Sequence, residues 1–381
     1  MKSVGEIVES SPQMRAAAMH GLRLEEEPQP LGPALWDWAK VRSVLIVKLR
    51  SIGDTVLTTP SLYALKRFLP QARVDILLED WVAPVLEGFT CVDNIITLKR
   101  GSASSRARVA RQLRSPRYDV AYNLHGGTTA TLLTRASGAK RRVGYAAYQY
   151  SRLYTHLAPS SLLLWKRDTC HSVEQQLALL GWTGVPVTDR PPTQLTVTDH
   201  AATSVSARLR QAGLGEQTPF AVIHPAAAFA TKQWATEKFA RVAEHLAGRG
   251  LAVVVTTAPA EALIAAELKN GSSAPIVAFT DLSLPEVTAL TARARLFVGN
   301  DSGIAHIAAA VGLPVVVIFG SSNIGHWGPW ATAPAEVVFE EMDCQPCHGY
   351  YCEKFSQPEC ILRVPVERVL AALDRIMRLD A

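Results

Sequence analysis

Leu296-Phe297-Val298-Gly299-Asn300-Asp301-Ser302-Gly303-Ile304-Ala305-His306 carries an apolar run into a glycine-punctuated turn, then into a small-residue helix pattern that reaches Val311. A strand that ends in such a turn and opens a helix leaves free backbone N–H groups and the positive end of the helix dipole facing a ligand. The turn therefore reads as an anion-binding element. Asp301 suits either a ribose hydroxyl or the cap of the helix, Ser302 and Gly303 allow close approach to the backbone, and His306 lies one turn further on.

Two other stretches repeat this grammar. In residues 44–60, Val44–Val47 reads as a buried parallel strand, Lys48–Asp54 as a turn carrying Lys48, Arg50, Ser51 and Gly53, and Thr55–Phe68 as an amphipathic helix. Charge and glycine gather at the carboxyl end of the strand, where open α/β sheets bind ligands. On the residues alone, Asp54 is either a reactive carboxylate or the helix N-cap. Neither G-x-G-x-x-G nor G-x-x-x-x-G-K-[ST] occurs in this turn, which argues against a dinucleotide fingerprint or a P-loop.

In residues 221–234 an apolar strand again runs into a loop, here holding Thr231 and Lys232 just before a helix at 236–248. A cation and a hydroxyl at that point suit a diphosphate. Strands at 221–224, 252–257, 295–298 and 314–319 alternate with helices at 236–248, 261–269, 285–292 and 303–311, the pattern of a doubly wound parallel sheet. Lys232, the turn holding Glu261, Asp301 and the Gly320-Ser321 turn all fall at carboxyl strand ends. They are expected to line one crevice.

Taken together, Val47-Lys48-x4-Gly53-Asp54-x5-Pro60, Thr231-Lys232-x-Trp234 and Gly299-Asn300-Asp301-Ser302-Gly303-x2-His306 resemble glycosyltransferase family 9, the lipopolysaccharide heptosyltransferases, over roughly residues 41–370. The resemblance implies an α/β GT-B fold, two Rossmann-like doubly wound domains facing a central crevice. It implies inverting transfer of a heptose from ADP-L-glycero-β-D-manno-heptose to the lipopolysaccharide inner core or a related acidic, lipid-linked glycan, with no cofactor or metal required. By the same resemblance Asp54 is the catalytic base. The resemblance likewise makes Lys232 a phosphate ligand and Asp301, Gly303 and His306 nucleotide-sugar ligands; by their own positions and charge, Thr231, Glu261, Ser302, Gly320 and Ser321 are expected to join the donor site, and Lys48, Arg50, Ser51, Gly53, Arg108, Arg111 and Arg142 the acceptor site. Where some members of the family place hydroxyl residues after the strand at 221–224, this chain has Ala226, Ala227 and Ala228, which leaves open a donor other than the heptose.

At 381 residues the chain is comfortable for two domains. The expected division is an N-terminal extension over 1–40, an acceptor domain over 41–195, and a nucleotide-sugar domain over 196–381 that includes a Cys-rich loop and a terminal helix at 366–379. The extension, with Glu25-Glu26-Glu27 followed by Pro28, Pro30 and Pro33, reads as a poorly ordered arm in which Leu35–Ala39 docks through Trp36 and Trp38. No apolar run of about 20 residues and no signal-peptide pattern occurs, so a cytoplasmic protein is expected.

The net charge of +5 is concentrated: residues 99–117 hold Lys99, Arg100, Arg106, Arg108, Arg111, Arg114 and Arg117 without a carboxylate. Aromatic interleaving is absent there, which disfavours nucleic acid; an acidic acceptor or the anionic inner face of the membrane is the expected partner. Tyr145, Tyr148, Tyr150 and Tyr154 follow, suited to stacking on sugars or to packing. Cys344, Cys347, Cys352 and Cys360 form a C-x2-C-x4-C-x7-C series, read either as reduced cysteines or as a structural zinc site. Two rival functions share these features. One is a GT-B-like nucleotide-sugar epimerase or hydrolase, and the other a non-enzymatic polyanion-binding protein resting on the basic block alone.

Overall fold

The computed structural model describes residues 27–347 and 350–379. Its first half builds a sheet from β1 (Ser43–Val47), β2 (Arg73–Glu79), β3 (Asn94–Leu98), β4 (Val120–Asn123), β5 (Arg141–Tyr145) and β6 (His156–Ala158). The helices of this half are α1 (Ile52–Val56), α2 (Thr59–Phe68), α3 (Ala103–Arg114), α4 (Thr128–Ala136), α5 (Ser161–Trp165) and α6 (Ser172–Gly181). The second half opens with α7 (Asp199–Gln211) and alternates β7 (Phe220–His224), α8 (Thr236–Gly248), β8 (Ala252–Thr256), α9 (Ala262–Gly271), β9 (Ile276–Phe279), α10 (Leu284–Arg293), β10 (Leu296–Asn300), α11 (Gly303–Ala310), β11 (Val315–Phe319), α12 (Ile324–Trp327) and β12 (Ala335–Phe339). Helices α13 (Glu359–Leu362) and α14 (Val366–Leu379) close the chain.

Both sheets are parallel throughout, in orders β3-β2-β1-β4-β5-β6 and β12-β11-β10-β7-β8-β9. Renumbered within its own half, the second order is the first read backwards, so the two domains share one topology. In each, the chain reverses direction between the first and fourth strands, and the loops leaving those strands diverge to form a crevice. The strands reach full burial because they are runs of Val, Ile, Leu and Phe covered on both faces, as at Val315–Phe319.

The helix expected over Thr55–Phe68 is two helices. The first begins at Ile52 and ends at Val56, and the second starts at Thr59 with Pro60 in its first turn, where a missing N–H costs nothing. Gln176 of α6 ties down the break, accepting from the Thr58 hydroxyl at 2.7 Å and donating to the Leu57 carbonyl at 3.2 Å. The helix expected from 261 starts one residue later, after a 3-10 turn over Pro259–Glu261.

Residues 1–26 of the expected arm lie outside the described residues. Leu31 and Gly32 donate to the Gly181 carbonyl, and buried Trp38 donates its indole N–H to Thr183 O at 3.1 Å while packing on Trp36 and Phe68. Helix α14 buries Val369, Leu373 and Ile376 in the second domain's core. Contact between the domains is made by α11, whose Ile307 and Ala310 pack into the core of the first domain.

Candidate active site

Each crevice-forming loop carries one ion pair. After β1, the Lys48 ammonium lies 2.8 Å from Asp54 Oδ1 and 3.4 Å from the Leu124 carbonyl, and Lys48 is only 5% exposed. Asp54 is not the N-cap of its helix. Ser51 holds that position, and the second carboxylate oxygen of Asp54 accepts from the Ser51 backbone N–H at 3.3 Å and hydroxyl at 3.0 Å. Burial pushes the Asp54 carboxyl up, but the Lys48 charge and the Ser51 hydrogen bonds outweigh it and hold the group below its ordinary value. The carboxylate is thus ionised at neutral pH and fixed in orientation from both sides.

After β7 and β10, the Lys232 ammonium sits 2.8 Å from Asp301 Oδ2. Ser302 caps α11 by accepting from the Ala305 N–H, so Asp301 is released from the capping role. Asn300, fully buried, joins the loops: it accepts from the Trp234 N–H at 3.2 Å and donates to the Pro225 carbonyl at 2.7 Å. Gly320 and Ser321, after β11, lie against the same loop. A Cβ on Gly320 would fall 2.2 Å from the Thr231 carbonyl oxygen, which accepts from the Ser321 N–H at 3.2 Å. Thr231 and Ser321 are buried in that contact.

The two halves of the site meet where α1 touches α11. A Cβ on Gly303 would lie 2.7 Å from Ile52 Cβ, and one on Gly53 would lie 2.7 Å from His306 Cδ2. His306 is buried, and burial lowers its basicity; the Lys232 charge lowers it further, while Asp301 and Asp54 oppose the shift. The imidazole is therefore a neutral packing group at the contact of the two domains, within reach of both carboxylate charges.

Sequence reasoning missed several residues of the crevice. Lys48 and Asp54 open onto a cavity of about 180 Å³ shared with His125, Gln176, His326 and Trp327, which the sequence did not single out, and with Tyr145 and Tyr148, which it did. His125 follows β4, the strand beside β1, and burial with the neighbouring Lys48 charge pushes it down to about 4. Its signal was present: Val120-Ala121-Tyr122 runs into His125-Gly126-Gly127 and opens α4, the grammar of residues 296–306. His171 and His326 cross between domains, His171 bonding to the Gly328 carbonyl at 3.0 Å and His326 to the Cys170 carbonyl at 2.8 Å.

Other expected residues are placed apart. Arg50 lines a second cavity with Lys99, Arg100 and Arg106. Arg108 and Arg111 lie on the exposed side of α3, which packs inward through Val109 and Leu113. Arg142, expected at the acceptor site, stands near the start of β5 and spends its guanidinium on the Leu153 and Ala139 carbonyls, at 2.9 and 2.8 Å. That is the opposite end of the strand from the crevice, so its role is structural.

Glu261 accepts from the Ala258 N–H at 3.0 Å, pinning the turn after β8. Tyr154 is buried against Asn123 and Thr131, whereas Tyr150 is exposed.

Cys344, Cys347, Cys352 and Cys360 are free thiols, and among the described residues no group of three or more His, Cys, Asp or Glu is gathered to hold a metal. The second pair lacks the tight C-x-x-C turn that aims two thiols at one point, and Cys360 is buried in α13, its thiol pushed up to about 11 by burial and the neighbouring thiols.

Two doubly wound domains of one topology, meeting across a crevice, make up the GT-B fold. The family model described as glycosyltransferase family 9 (heptosyltransferase) matches residues 106–355, and the chain belongs to that family. It is a glycosyltransferase. Lipopolysaccharide heptosyltransferase 3 of Escherichia coli is 29% identical over 347 residues, covering 86% of this chain and 97% of the relative. Among solved structures, the family 9 glycosyltransferase of Veillonella parvula superposes with a TM-score of 0.77 at 20% identity, over 89% of this chain and 98% of that one. The ADP-heptose lipopolysaccharide heptosyltransferase II of E. coli superposes with a TM-score of 0.72 at 22% identity, over 89% and 100%.

Proposed function

We propose that the chain transfers a heptose from ADP-L-glycero-β-D-manno-heptose, with inversion, to the inner core of lipopolysaccharide or a related acidic lipid-linked glycan. The observation that supports this most is the approach of Asp54 to the Lys232–Asp301 pair through the α1–α11 contact, which puts a fixed carboxylate beside an anion-binding loop. The similarity to heptosyltransferases supplies the sugar.

In the reaction, the acceptor hydroxyl oxygen bonds to the anomeric carbon from the face opposite the nucleotide, and the bond from that carbon to the diphosphate breaks. Asp54 takes the hydroxyl proton, and ADP leaves with the bonding pair. Lys48 and Ser51 hold the carboxylate ionised and aimed. Charge on the departing diphosphate is met by Lys232, by the amino end of α11 at Ser302 and Gly303, and by the Gly320–Ser321 turn. Asp301 orients Lys232 for that task, and Glu261, in the turn after β8, receives the ribose hydroxyls of the nucleotide.

No helix among the described residues is long and apolar enough to cross a membrane. The lipid-linked acceptor is reached from the membrane surface, with exposed Arg108 and Arg111 facing anionic headgroups on the cytoplasmic side. Mass analysis of products from ADP-heptose, with and without a phosphorylated inner-core acceptor, tests the reading. Acceptor-dependent gain of one heptose with ADP release is expected. Consumption of the donor at the same rate without acceptor identifies a hydrolase or epimerase instead.

A further inference from the structure

The cavity at Asp54 is not walled by the first domain alone: two of its lining residues, His326 and Trp327, belong to α12 of the second. The segment that carries them leaves β11 through Gly320 and Ser321 and is then locked against the first half of the chain. The Asn323 side chain starts α12 by accepting from the His326 N–H at 3.2 Å, and the His171 ring bonds to the Gly328 carbonyl at 3.0 Å. The Trp330 indole donates to the Pro191 carbonyl at 2.9 Å, while the Thr193 hydroxyl donates to the Trp330 carbonyl. The place of His326 in the cavity is thus set by bonds on both sides of it.

Its hydrogen bonds decide which ring nitrogen carries the proton. A carbonyl oxygen only accepts, so His326 Nδ1 donates to the Cys170 carbonyl at 2.8 Å, and Nε2 of the uncharged ring keeps its lone pair. Among the described residues that nitrogen has no partner. His171 is the contrast: its Nε2 donates to Gly328 and its Nδ1 accepts from the Val173 N–H at 3.1 Å, which leaves it nothing to offer a ligand. Elsewhere in the wall, Gln176 is spent on Thr58, Leu57 and Ser172, the Tyr145 hydroxyl on the Gln175 carbonyl, and Lys48 and Asp54 neutralise each other. Trp327, in edge contact with the His326 ring at 4.6 Å, and Tyr148 add aromatic surface. An open acceptor beside aromatic faces and a self-compensated ion pair matches a neutral polyhydroxylated ring better than an anion.

Resting on the transferase reading above, we propose that His326 is a specificity-determining residue of this cavity: its Nε2 accepts a hydrogen bond from a hydroxyl of the uncharged sugar ring that sits beside Asp54. The second domain thereby reads a substrate group inside a pocket built mainly by the first. A ring that lacks the hydroxyl leaves this nitrogen unpaired away from bulk water and is disfavoured. The hydroxyl belongs to the transferred sugar or to the acceptor sugar, and the two sources differ in which substrate loses affinity when the contact is removed.

Two variants separate this contact from the architectural bond to Cys170. In His326→Asn the side-chain amide N–H takes the place of Nδ1–H and no acceptor remains at the position of Nε2; in His326→Gln the carboxamide oxygen reaches that position and the bond to Cys170 is lost. Calorimetry measures ADP and ADP-heptose binding, and steady-state transfer gives the KM for a phosphorylated inner-core acceptor. His326→Asn is expected to unfold near the wild-type temperature yet lose about 3- to 10-fold in affinity for one sugar substrate, the range for an uncharged hydrogen bond, with ADP affinity unmoved. His326→Gln should unfold earlier and keep most of that affinity. Weaker binding of ADP-heptose assigns the hydroxyl to the transferred sugar; a raised acceptor KM with ADP-heptose binding unchanged assigns it to the acceptor. Wild-type affinities in His326→Asn, or losses that follow thermal stability across the two variants, overturn the proposal. If the wild type transfers nothing to the acceptor, the transferase reading falls, and the binding of ADP-heptose relative to ADP in His326→Asn then decides the contact alone.

Discussion

Gly53 and His306, more than 250 residues apart in the chain and in different domains, approach so closely that a Cβ on the glycine would lie 2.7 Å from the imidazole Cδ2. The loop that carries Asp54 in one domain is therefore seated directly on the start of α11 in the other. Because His306 is itself buried and feels the charges of both Asp54 and Asp301, the contact fixes the spacing of the two loops that carry those carboxylates rather than merely filling space.

Gly53→Ala is expected to push α1 off α11, destabilising the protein by about 1–3 kcal/mol, the usual effect of overpacking, and lowering kcat/KM. His306→Ala opens room for the new methyl group. The double variant should therefore be more stable than the sum of the two single losses by about 0.5 kcal/mol or more. Strictly additive losses in thermal unfolding would show that the two residues do not press on each other.

Lys232→Ala should weaken ADP binding by about 10- to 100-fold, the range for hydrogen bonds to a charged group, and lower turnover without unfolding the protein. Asp301→Ala should also weaken ADP binding, through loss of the 2.8 Å contact that orients the ammonium. Since Ser302 caps α11, this second effect is separable from helix fraying. Calorimetry that finds ADP affinity unchanged in Lys232→Ala removes this loop from the donor site.

Acid should erode stability in a defined window. His125 and His171 are both pushed down to about 4 by burial, from an ordinary value of 6.5. The unfolded chain takes up these protons below about pH 6.5 while the folded chain refuses them until about pH 4, so stability falls as pH drops through that interval. The loss is on the order of a few kcal/mol, since each unit of separation is worth about 1.4 kcal/mol. Asp54 adds nothing in this window, being ionised across it; its contribution is present above the ordinary carboxylate value of 3.8 and is lost only below. Denaturant titrations at pH 4.5 and 7 check the slope, and replacing His171 by Gln should flatten it.

The four central strands of the second domain's sheet were legible because they are short apolar runs whose turns carry the glycines and charges that the topology requires, whereas the edge strands β9 and β12 were missed, being only partly buried and, in β12, carrying Glu336. Asp301 and Lys232 were legible as groups at carboxyl strand ends for the same reason, but not as partners of each other, since 69 positions separate them and pairing is set by the β7–β10 neighbourhood. His125 escaped notice although its strand–glycine–helix context matches that of Asp301. Arg142 was misplaced because charge clustering in sequence says nothing about which end of a strand a side chain occupies. The break in the helix after β1 was signalled by Pro60 yet masked by the continuous amphipathic pattern around it.

Asp54 separates chemistry from architecture most sharply. An Asp54→Asn side chain can still accept from the Ser51 N–H, so the helix start should survive. It cannot neutralise Lys48, however, and that ammonium is 5% exposed, so the substitution strands a buried charge. The expectation is a stability loss of about 1–3 kcal/mol together with a fall in turnover of about 10²- to 10⁴-fold, the range for removal of a general base. Adding Lys48→Met removes the unpaired charge and should restore most of the stability while restoring none of the turnover. ADP affinity should hardly move in either variant, because the nucleotide contacts proposed above lie on the other domain. A folded Asp54→Asn enzyme that keeps substantial turnover would show the carboxylate to be a partner for Lys48 and nothing more, and would send the search for the base to the other groups lining the same cavity.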